Sequence, residues 1–191
     1  MSTKLEVINN GLMKVGLPLA ASLQDADYNA SIIFDKVAKE ALRSFAWGFA
    51  TVYAKLTASS SAPAHGFTHS YSMPNDCLRV LDVRMADDLR APKARFSISG
   101  RLIYANVTPC HVRYVKDMAS TPELWPEDFG DAVSCKIAAE ICCLSAQTAT
   151  MVPGLLQMYQ ISLSQAQAID STETNERVPL DESILATREG R

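Results

Sequence analysis

The pattern of hydrophobic and polar positions predicts helices at both ends of the chain and strands between them. From the start, apolar residues recur at spacings of three and four, as on one face of a helix: Leu5, Ile8, Leu12 and Val15. Thr3 and Glu6 form a capping box at the beginning of this helix, and Gly16 and Pro18 predict its end. The first helix is therefore expected to bury one face.

A second helix is predicted to follow Asp25, which can cap its first turn. Its apolar positions keep the same period: Ala30, Ile33, Phe34, Val37, Ala38, Ala41, Leu42 and Phe45. Charged residues occupy the opposite face, so this helix must also bury one side against another element.

After Trp47-Gly48 the hydrophobic period changes to two, which predicts strands. Strands are predicted over residues 49–56, 81–85, 96–104 and 112–115. Within 81–85 apolar and polar residues alternate as in a half-buried strand, which places Asp82 and Arg84 on the solvent side. The segment 96–104 is predicted to be a hairpin that turns at Ser99-Gly100.

A third helix is predicted to begin at Trp125-Pro126 and to be apolar around almost its whole circumference. Its stripe consists of Phe129, Val133, Ile137, Ile141 and Leu144. Small residues widen the stripe: Ala132, Cys135, Ala138, Ala139, Cys142 and Cys143. Such a helix lies in the centre of a core, or is buried from both sides by neighbouring subunits, and the sequence leaves both alternatives open.

A fourth helix is predicted to start at Pro153, with one apolar face: Leu156, Tyr159, Leu163, Ala166 and Ile169. The other face carries several glutamines, which suits contact with polar groups of another chain as well as a solvated surface. Periodicity is lost over residues 172–191. A disordered tail is one interpretation, but its apolar residues favour a short arm that orders on a partner.

Together these elements predict an α+β fold that is mainly α. We expect an antiparallel helix bundle with an inserted small antiparallel β domain and an extended C-terminal arm. The bundle comprises residues 1–56 and 117–171, the β domain residues 57–116, and the arm residues 172–191.

Composition supports a soluble globular protein, with 191 residues, 48% hydrophobic and 20% charged. No apolar run reaches the ~20 residues of a membrane span, so no membrane partner is expected. The net charge of −3 is unevenly distributed: residues 1–78 sum to 0, 79–116 to +5, 117–169 to −5 and 170–191 to −3. These segments are either solvated faces of one monomer, or a basic segment that meets an acidic one in the same subunit or the next copy.

The residues that could carry chemistry do not form a recognisable catalytic or metal motif. The chain has five cysteines without CxxC spacing, which argues against a disulfide framework or zinc ribbon. Histidines and cysteines such as His111 and Cys110 lack standard ligand spacing. We therefore expect no enzyme, cofactor or metal. The alternative function is a small module that binds single-stranded nucleic acid through the basic, aromatic-containing segment 79–116.

Several short motifs follow one another in an order known from one protein family. They are Val7–Pro18, Ser22–Asp27, Phe45–Ala50, Tyr71–Val80, Val112–Val115 and Leu124–Phe129. The first is similar to the family pattern N-x-x-L-x-x-I-G-x-x-P, and the fourth to Y-x-L-P-x-D-C-L-R-V. On these residues the chain resembles the head-to-tail adaptor of short-tailed bacteriophages, the tail tubular protein A family.

The resemblance implies a structural protein without enzymatic activity. Twelve copies would form a ring below the portal protein and extend the DNA channel, through which DNA passes without sequence-specific binding. The ring would accept the tail nozzle protein and help to hold the tail fibres. The protein would be made in the bacterial host cytoplasm and be located in the neck of the virion tail.

The resemblance also suggests roles for three groups of residues. The arm residues expected to reach the portal are Val178, Pro179, Leu180, Ile184 and Leu185. The residues expected in the ring interface or in a core helix are Phe129, Val133, Ile137, Ile141 and Leu144. The basic residues expected to face nozzle, fibres or channel are Arg84, Arg90, Lys93, Arg95 and Arg101.

Overall fold

The computed structural model of the chain describes residues 3–24, 28–59, 63, 66–88, 91–144 and 149–173. The predicted portal-binding residues lie outside these ranges: Val178, Pro179, Leu180, Ile184 and Leu185. Arg90 and the predicted helix cap Asp25 also lie outside them.

The described chain has the predicted α+β organisation, with all six strands between the second and third helices. The helices are α1 (Lys4–Val15), α2 (Tyr28–Ser44), α3 (Glu127–Cys142) and α4 (Val152–Glu173). The strands are β1 (Thr51–Leu56), β2 (His69–Ser72), β3 (Cys77–Arg84), β4 (Phe96–Ser99), β5 (Leu102–Ala105) and β6 (Cys110–Lys116). Among the described residues, none of the helices has the length and hydropathy that crossing a lipid bilayer requires.

The first helix has the predicted ends. The Thr3 hydroxyl accepts the backbone N–H of Glu6, and the Glu6 carboxylate accepts the backbone N–H of Thr3, so the capping box is complete. Gly16 adopts the left-handed conformation with φ of 74°, which a glycine tolerates best.

The strands form two three-stranded antiparallel sheets, in the orders β1-β6-β3 and β2-β5-β4. Strand β1 pairs with β6 along its whole length, from Thr51 opposite Val115 to Leu56 opposite Cys110. The first sheet therefore begins at Thr51, ahead of the predicted boundary between residues 56 and 57. A short 3-10 turn, Gly48–Ala50, precedes it and includes residues 49 and 50, which were predicted as strand.

Helix α3 lies at the centre of the helical part of the molecule, in contact with α1, α2 and α4. Gly11 of α1 permits the close approach of α1 and α3. A Cβ atom at Gly11 would lie 3.1 Å from the Ser134 carbonyl oxygen and 3.2 Å from Ile137 Cγ2. The core is closed by aromatic contacts, in which Phe129 packs edge-to-face on both Trp47 and Trp125.

Two strand predictions need correction. Ser99 pairs with Leu102, so the hairpin turns at Gly100-Arg101, one residue later than predicted, and Gly100 has a φ of 58°. In β3 Val83 and the pair Asp82 and Arg84 lie on opposite faces, as predicted, because Asp82 and Arg84 pair with Arg113 and His111 of β6. The prediction that Asp82 and Arg84 are solvated is wrong, since both are buried.

Two helix predictions also differ from the structure. Helix α3 ends at Cys142, earlier than predicted, so Leu144 lies beyond its last turn. On α4 the buried side includes Leu155 and Ala166, whereas Ile169, predicted to be on the apolar face, is exposed. The rest of the predicted inward face is confirmed, because Ala166 is buried and Leu156 and Leu163 pack against the core.

Candidate functional site

The stripe on α3 is the core of the chain itself. Phe129, Val133 and Ile137 are completely buried within one chain, and Ile141 packs against the same cluster. For these four residues the structure favours the core alternative over burial by a neighbouring subunit. Leu144 differs, since its side chain is 62% exposed beyond the helix end, and it is not part of this core.

Arg84 is buried, which corrects its assignment as an exposed nozzle-facing, fibre-facing or channel residue. Its Nε donates to Asp82 Oδ1 at 3.1 Å, and its Nη1 donates to the carbonyl oxygens of Asp88 and Ala91. The pair lies on the outer face of the first sheet, where these carbonyl groups of the segment after β3 cover the guanidinium group. Arg84 is therefore a structural residue that neutralises a buried carboxylate.

Other basic residues of the segment 79–116 are also engaged within the chain. Arg79 donates to the carbonyl oxygens of Arg43 and Ser44 at the end of α2, where helix carbonyls lack partners. Arg101 donates to the Pro74 carbonyl oxygen at 2.7 Å but stays at the surface. Lys93 and Arg95 are exposed as well, so three of the five predicted basic residues remain accessible to a partner.

In the described part of the chain, the acidic segment 117–169 forms ion pairs with the first two helices. Its carboxylates contact lysines of α1 and α2: Asp131 with Lys14 at 2.8 Å, Glu140 with Lys36 at 3.3 Å, and Asp117 with Lys39 at 3.2 Å. These ion pairs join the acidic segment to the first two helices and not to the basic segment. Contact between the two segments in neighbouring copies stays a prediction.

Helix α4 carries a second apolar stripe, on a side that the described residues of the chain leave exposed. Met158, Ile161 and Ile169 are 48%, 49% and 48% exposed, whereas the face towards α3 buries Leu155 and Ala166. The 29 residues between Glu140 and Asp170 contain no charged side chain, although a fifth of the chain is charged. A solvated helix face normally carries charges, and charge depletion is typical of interface cores.

The loop between α1 and α2 presents a separate apolar surface. Leu17, Leu19 and Leu23 are 38%, 56% and 44% exposed. Asn9 holds the loop with two hydrogen bonds, since its Nδ2 donates to the Ala20 carbonyl oxygen at 3.0 Å and its Oδ1 accepts the Ala20 N–H at 2.9 Å. The leucines are therefore displayed by a fixed loop rather than by a mobile one.

The last turn of α4 is fastened to the junction between helices and sheet. Both carboxylate oxygens of Asp170 accept the backbone N–H of Gly48, at 2.9 and 3.0 Å. Burial raises the pKa of Asp170, and the nearby carboxylates of Glu173 and Asp128 raise it further, while the Gly48 hydrogen bond lowers it. A cavity of about 420 Å³ beside this contact is lined in part by Arg113.

The first sheet has a cavity of about 240 Å³ on its outer face, lined by residues that include Tyr53, Asp87 and His111. His111 Nδ1 lies 3.9 Å from Asp87 Oδ1. The neighbouring Cys110 points to the opposite, buried face, where burial raises its pKa to about 11, so it is a neutral thiol near pH 7. In the described part of the chain, no three metal-ligating side chains are grouped to hold an ion.

Comparison of the chain with models of protein families finds no matching family, and comparison with curated proteins finds no significant match. A functional assignment therefore depends on the ordered motifs and on the surfaces described above. Hydrophobic periodicity did not predict the outer stripe of α4 or the apolar loop between α1 and α2. It predicts one buried face for each element, and each of these is a second apolar surface. The absence of charge over 141–169 is the sequence signal that could have revealed the first of them.

Proposed function

We propose that the chain is a structural head-to-tail adaptor of the kind found in short-tailed bacteriophages. In this proposal twelve copies form a ring below the portal protein, extend the DNA channel, and accept the tail nozzle and the fibres. The protein acts without a catalytic centre or cofactor and is located in the virion neck.

The observation that carries the proposal is the uncharged outer stripe of α4. An isolated soluble monomer gains nothing from Met158 and Ile161 in water, whereas burial against another chain is favourable at about 25 cal/mol per Å² of apolar surface. The stripe belongs to a helix whose other side is already packed on α3. Such a surface suits permanent association with another subunit.

The second apolar surface, on the α1–α2 loop, favours a ring over a simple dimer. A two-fold dimer uses the same patch on both subunits, whereas two different patches on one chain allow head-to-tail contacts that close into a ring. This supports the repeated, heterologous interface that the adaptor proposal requires.

The remaining parts of the chain have separate roles in the proposed assembly. The four helices form an antiparallel bundle that makes the ring wall, and the strands between α2 and α3 project as a docking surface. The exposed residues Lys93, Arg95 and Arg101 face the nozzle, the fibres or the channel. Residues 172 and 173 belong to α4, so in this proposal the arm that binds the portal is the segment 174–191.

Sedimentation velocity of the purified chain, alone and with the portal protein of the same phage, tests this proposal. The expected result is a large, discrete oligomer that forms on the portal or at high protein concentration. A chain that sediments as a monomer with portal in excess would contradict it. A steep, salt-dependent affinity of that monomer for single-stranded DNA would favour the alternative function instead.

A further inference from the structure

We infer that the outer stripe of α4 is covered by the α1–α2 loop of a second copy of the chain. The stripe of Met158, Ile161 and Ile169 is extended by Met151 of the short turn before α4. The loop surface of Leu17, Leu19 and Leu23 is extended by Met13 of the last turn of α1. The inference rests on the proposed function, because it assigns the two surfaces through which neighbouring copies would join.

The two surfaces lie on different flanks of α1. The Cys135 side chain interacts with both Lys14 of α1 and Ser162 of α4, which places α4 on the Lys14 flank. The loop is held by Asn9, five residues before Lys14. At 3.6 residues per turn, Asn9 and Lys14 are about 140° apart around the axis of α1. A chain therefore does not cover its own α4 stripe with its own loop, and the contact has to be made between copies.

The surfaces match in charge. No charged residue occurs between Lys14 and Asp25, and none between Glu140 and Asp170. Placing one surface on the other thus buries no unpaired charge, which would otherwise cost several kcal/mol. The exclusion of charge from both surfaces of a chain that is 20% charged is what a shared interface requires.

The surfaces also match in size. Each group of four exposed side chains offers on the order of 400 Å² of apolar area, within the range of patches that mark interaction sites. In a standard interface each partner buries ~800 Å², of which about half is apolar. The apolar area of each surface is therefore about what one partner of such an interface contributes. From Met158 to Ile169 the stripe spans roughly 17 Å of helix, and Met151 extends it before the start of α4.

The loop is built in a way that favours docking. Its conformation is fixed by the two Asn9–Ala20 hydrogen bonds and by the Leu17 N–H, which donates to the Leu12 carbonyl oxygen at 3.0 Å. Pro18 further restricts the backbone. Little conformational entropy is therefore lost when the leucines meet a partner.

Cross-linking between two different variants tests the pairing directly. In a Cys143→Ser background, which removes the exposed native thiol, one variant carries Leu19→Cys and the other Ile161→Cys. A short bismaleimide is expected to link the two variants when they are mixed and to link neither variant to itself. Gln160→Cys, exposed on another side of α4, is the matched control and should give at least tenfold less product with Leu19→Cys.

Other cross-linking outcomes overturn the inference. Products within each single variant would show a two-fold interface instead. Oligomers that form without the mixed product would contradict the pairing while leaving the adaptor proposal intact. If the segment 174–191 covers α4, Leu180→Cys and Ile161→Cys in one chain would link internally, and the mixed product would be absent. Failure of oligomers to form even with portal protein would contradict both proposals.

A charge exchange provides a second, independent test. Leu19→Lys and Ile161→Glu should each reduce the association constant of the chain at least tenfold, because each buries an unpaired charge. The chain that carries both substitutions should recover most of that loss, because the lysine of one copy then faces the glutamate of the next. If the association constant of the double variant falls by the product of the two single reductions, the substitutions act independently. That result would contradict the pairing.

Discussion

Asp170 and Gly48 are 122 residues apart in the chain, yet both carboxylate oxygens of Asp170 accept the Gly48 N–H, at 2.9 and 3.0 Å. This contact fastens the last turn of α4 to the point where the helical core passes into the first sheet. Asp170 is 8% exposed, and burial is the main cause of the raised pKa of its carboxyl group. The hydrogen bonds of the ionised Asp170 carboxylate stabilise the fold, and the desolvation of its charge offsets part of that stabilisation.

The sign of that pKa shift predicts how stability depends on pH. Because the folded-state pKa of Asp170 lies above its ordinary value of 3.8, the folded state binds the proton more tightly than the unfolded state. The stabilisation from this group is present below pH 4 and is lost as the pH rises through the raised pKa. Asp170→Asn keeps an acceptor oxygen without charge, so its free energy of unfolding at pH 7 should equal or exceed that of the wild type.

Urea unfolding of both proteins between pH 4 and 7 measures this dependence. The difference in stability between Asp170→Asn and the wild type should grow with pH in favour of the variant. Asp170→Ala, which removes the acceptor, should lose about 1–2 kcal/mol. A wild type that gains stability over Asp170→Asn as the pH rises would show that the Gly48 hydrogen bonds outweigh the desolvation.

Helix α3 was predicted to be either core or interface, and the same substitution at two isoleucines separates these roles. Ile137→Asp should abolish folding, because an unpaired charge at a completely buried site costs several kcal/mol. Ile161→Asp, on the outer stripe of α4, should leave the folded monomer intact and weaken its association. Circular dichroism with thermal melting reports the fold, and sedimentation reports the association. A normally melting Ile137→Asp variant would place α3 outside the core.

The close contact of α1 and α3 predicts opposite effects for one substitution at two glycines. Gly11→Ala places a methyl group 3.1 Å from the Ser134 carbonyl oxygen, so α1 has to shift and stability should fall by about 1 kcal/mol or more. Gly154→Ala meets nothing within 4 Å and should gain up to about 1 kcal/mol from helix propensity. Chemical denaturation measures both, and equal stabilisation by the two variants would contradict the tight packing at Gly11.

The buried pair of Arg84 and Asp82 predicts a structural phenotype for a residue first expected at the surface. Arg84→Met removes the cation nearest to the Asp82 carboxylate, at 3.1 Å, and leaves Arg113 and Lys93 at 3.8 and 3.9 Å. It should therefore cost about 1–3 kcal/mol of stability. Arg95→Met is the matched control at an exposed position and should change stability by less than about 0.5 kcal/mol. Guanidinium unfolding measures both, and equal stability of the two variants would contradict a structural role for Arg84.

The sequence predicted the order of helices and strands because hydrophobic period and caps are local signals, as at Thr3 and Gly16. It failed where tertiary contacts decide. Asp82 and Arg84 are on the predicted face of β3 but are buried by their mutual contact and by the carbonyl groups of Asp88 and Ala91, which no local pattern reveals. Nor does periodicity reveal whether an apolar helix is buried by its own chain. The packing of α1, α2 and α4 on α3 answers that question for residues such as Ile137.

We expect the proposed arm to contribute to attachment to the portal protein but not to folding of the helical core. Since α4 extends to Glu173, deletion of residues 174–191 should leave the melting temperature of the helical core within a few degrees of the full chain. The same deletion should weaken attachment to the portal protein at least tenfold. Surface plasmon resonance on immobilised portal measures attachment, and equal binding of both chains would remove the arm from the proposal.

Electron microscopy of the full chain mixed with purified portal protein directly tests whether the chain is a head-to-tail adaptor. We expect end-on views of rings with twelvefold symmetry, seated coaxially on the portal, with the portal channel continued through the ring. Portal particles without an added ring, in the presence of excess folded monomer, would contradict the claim that this chain is a head-to-tail adaptor.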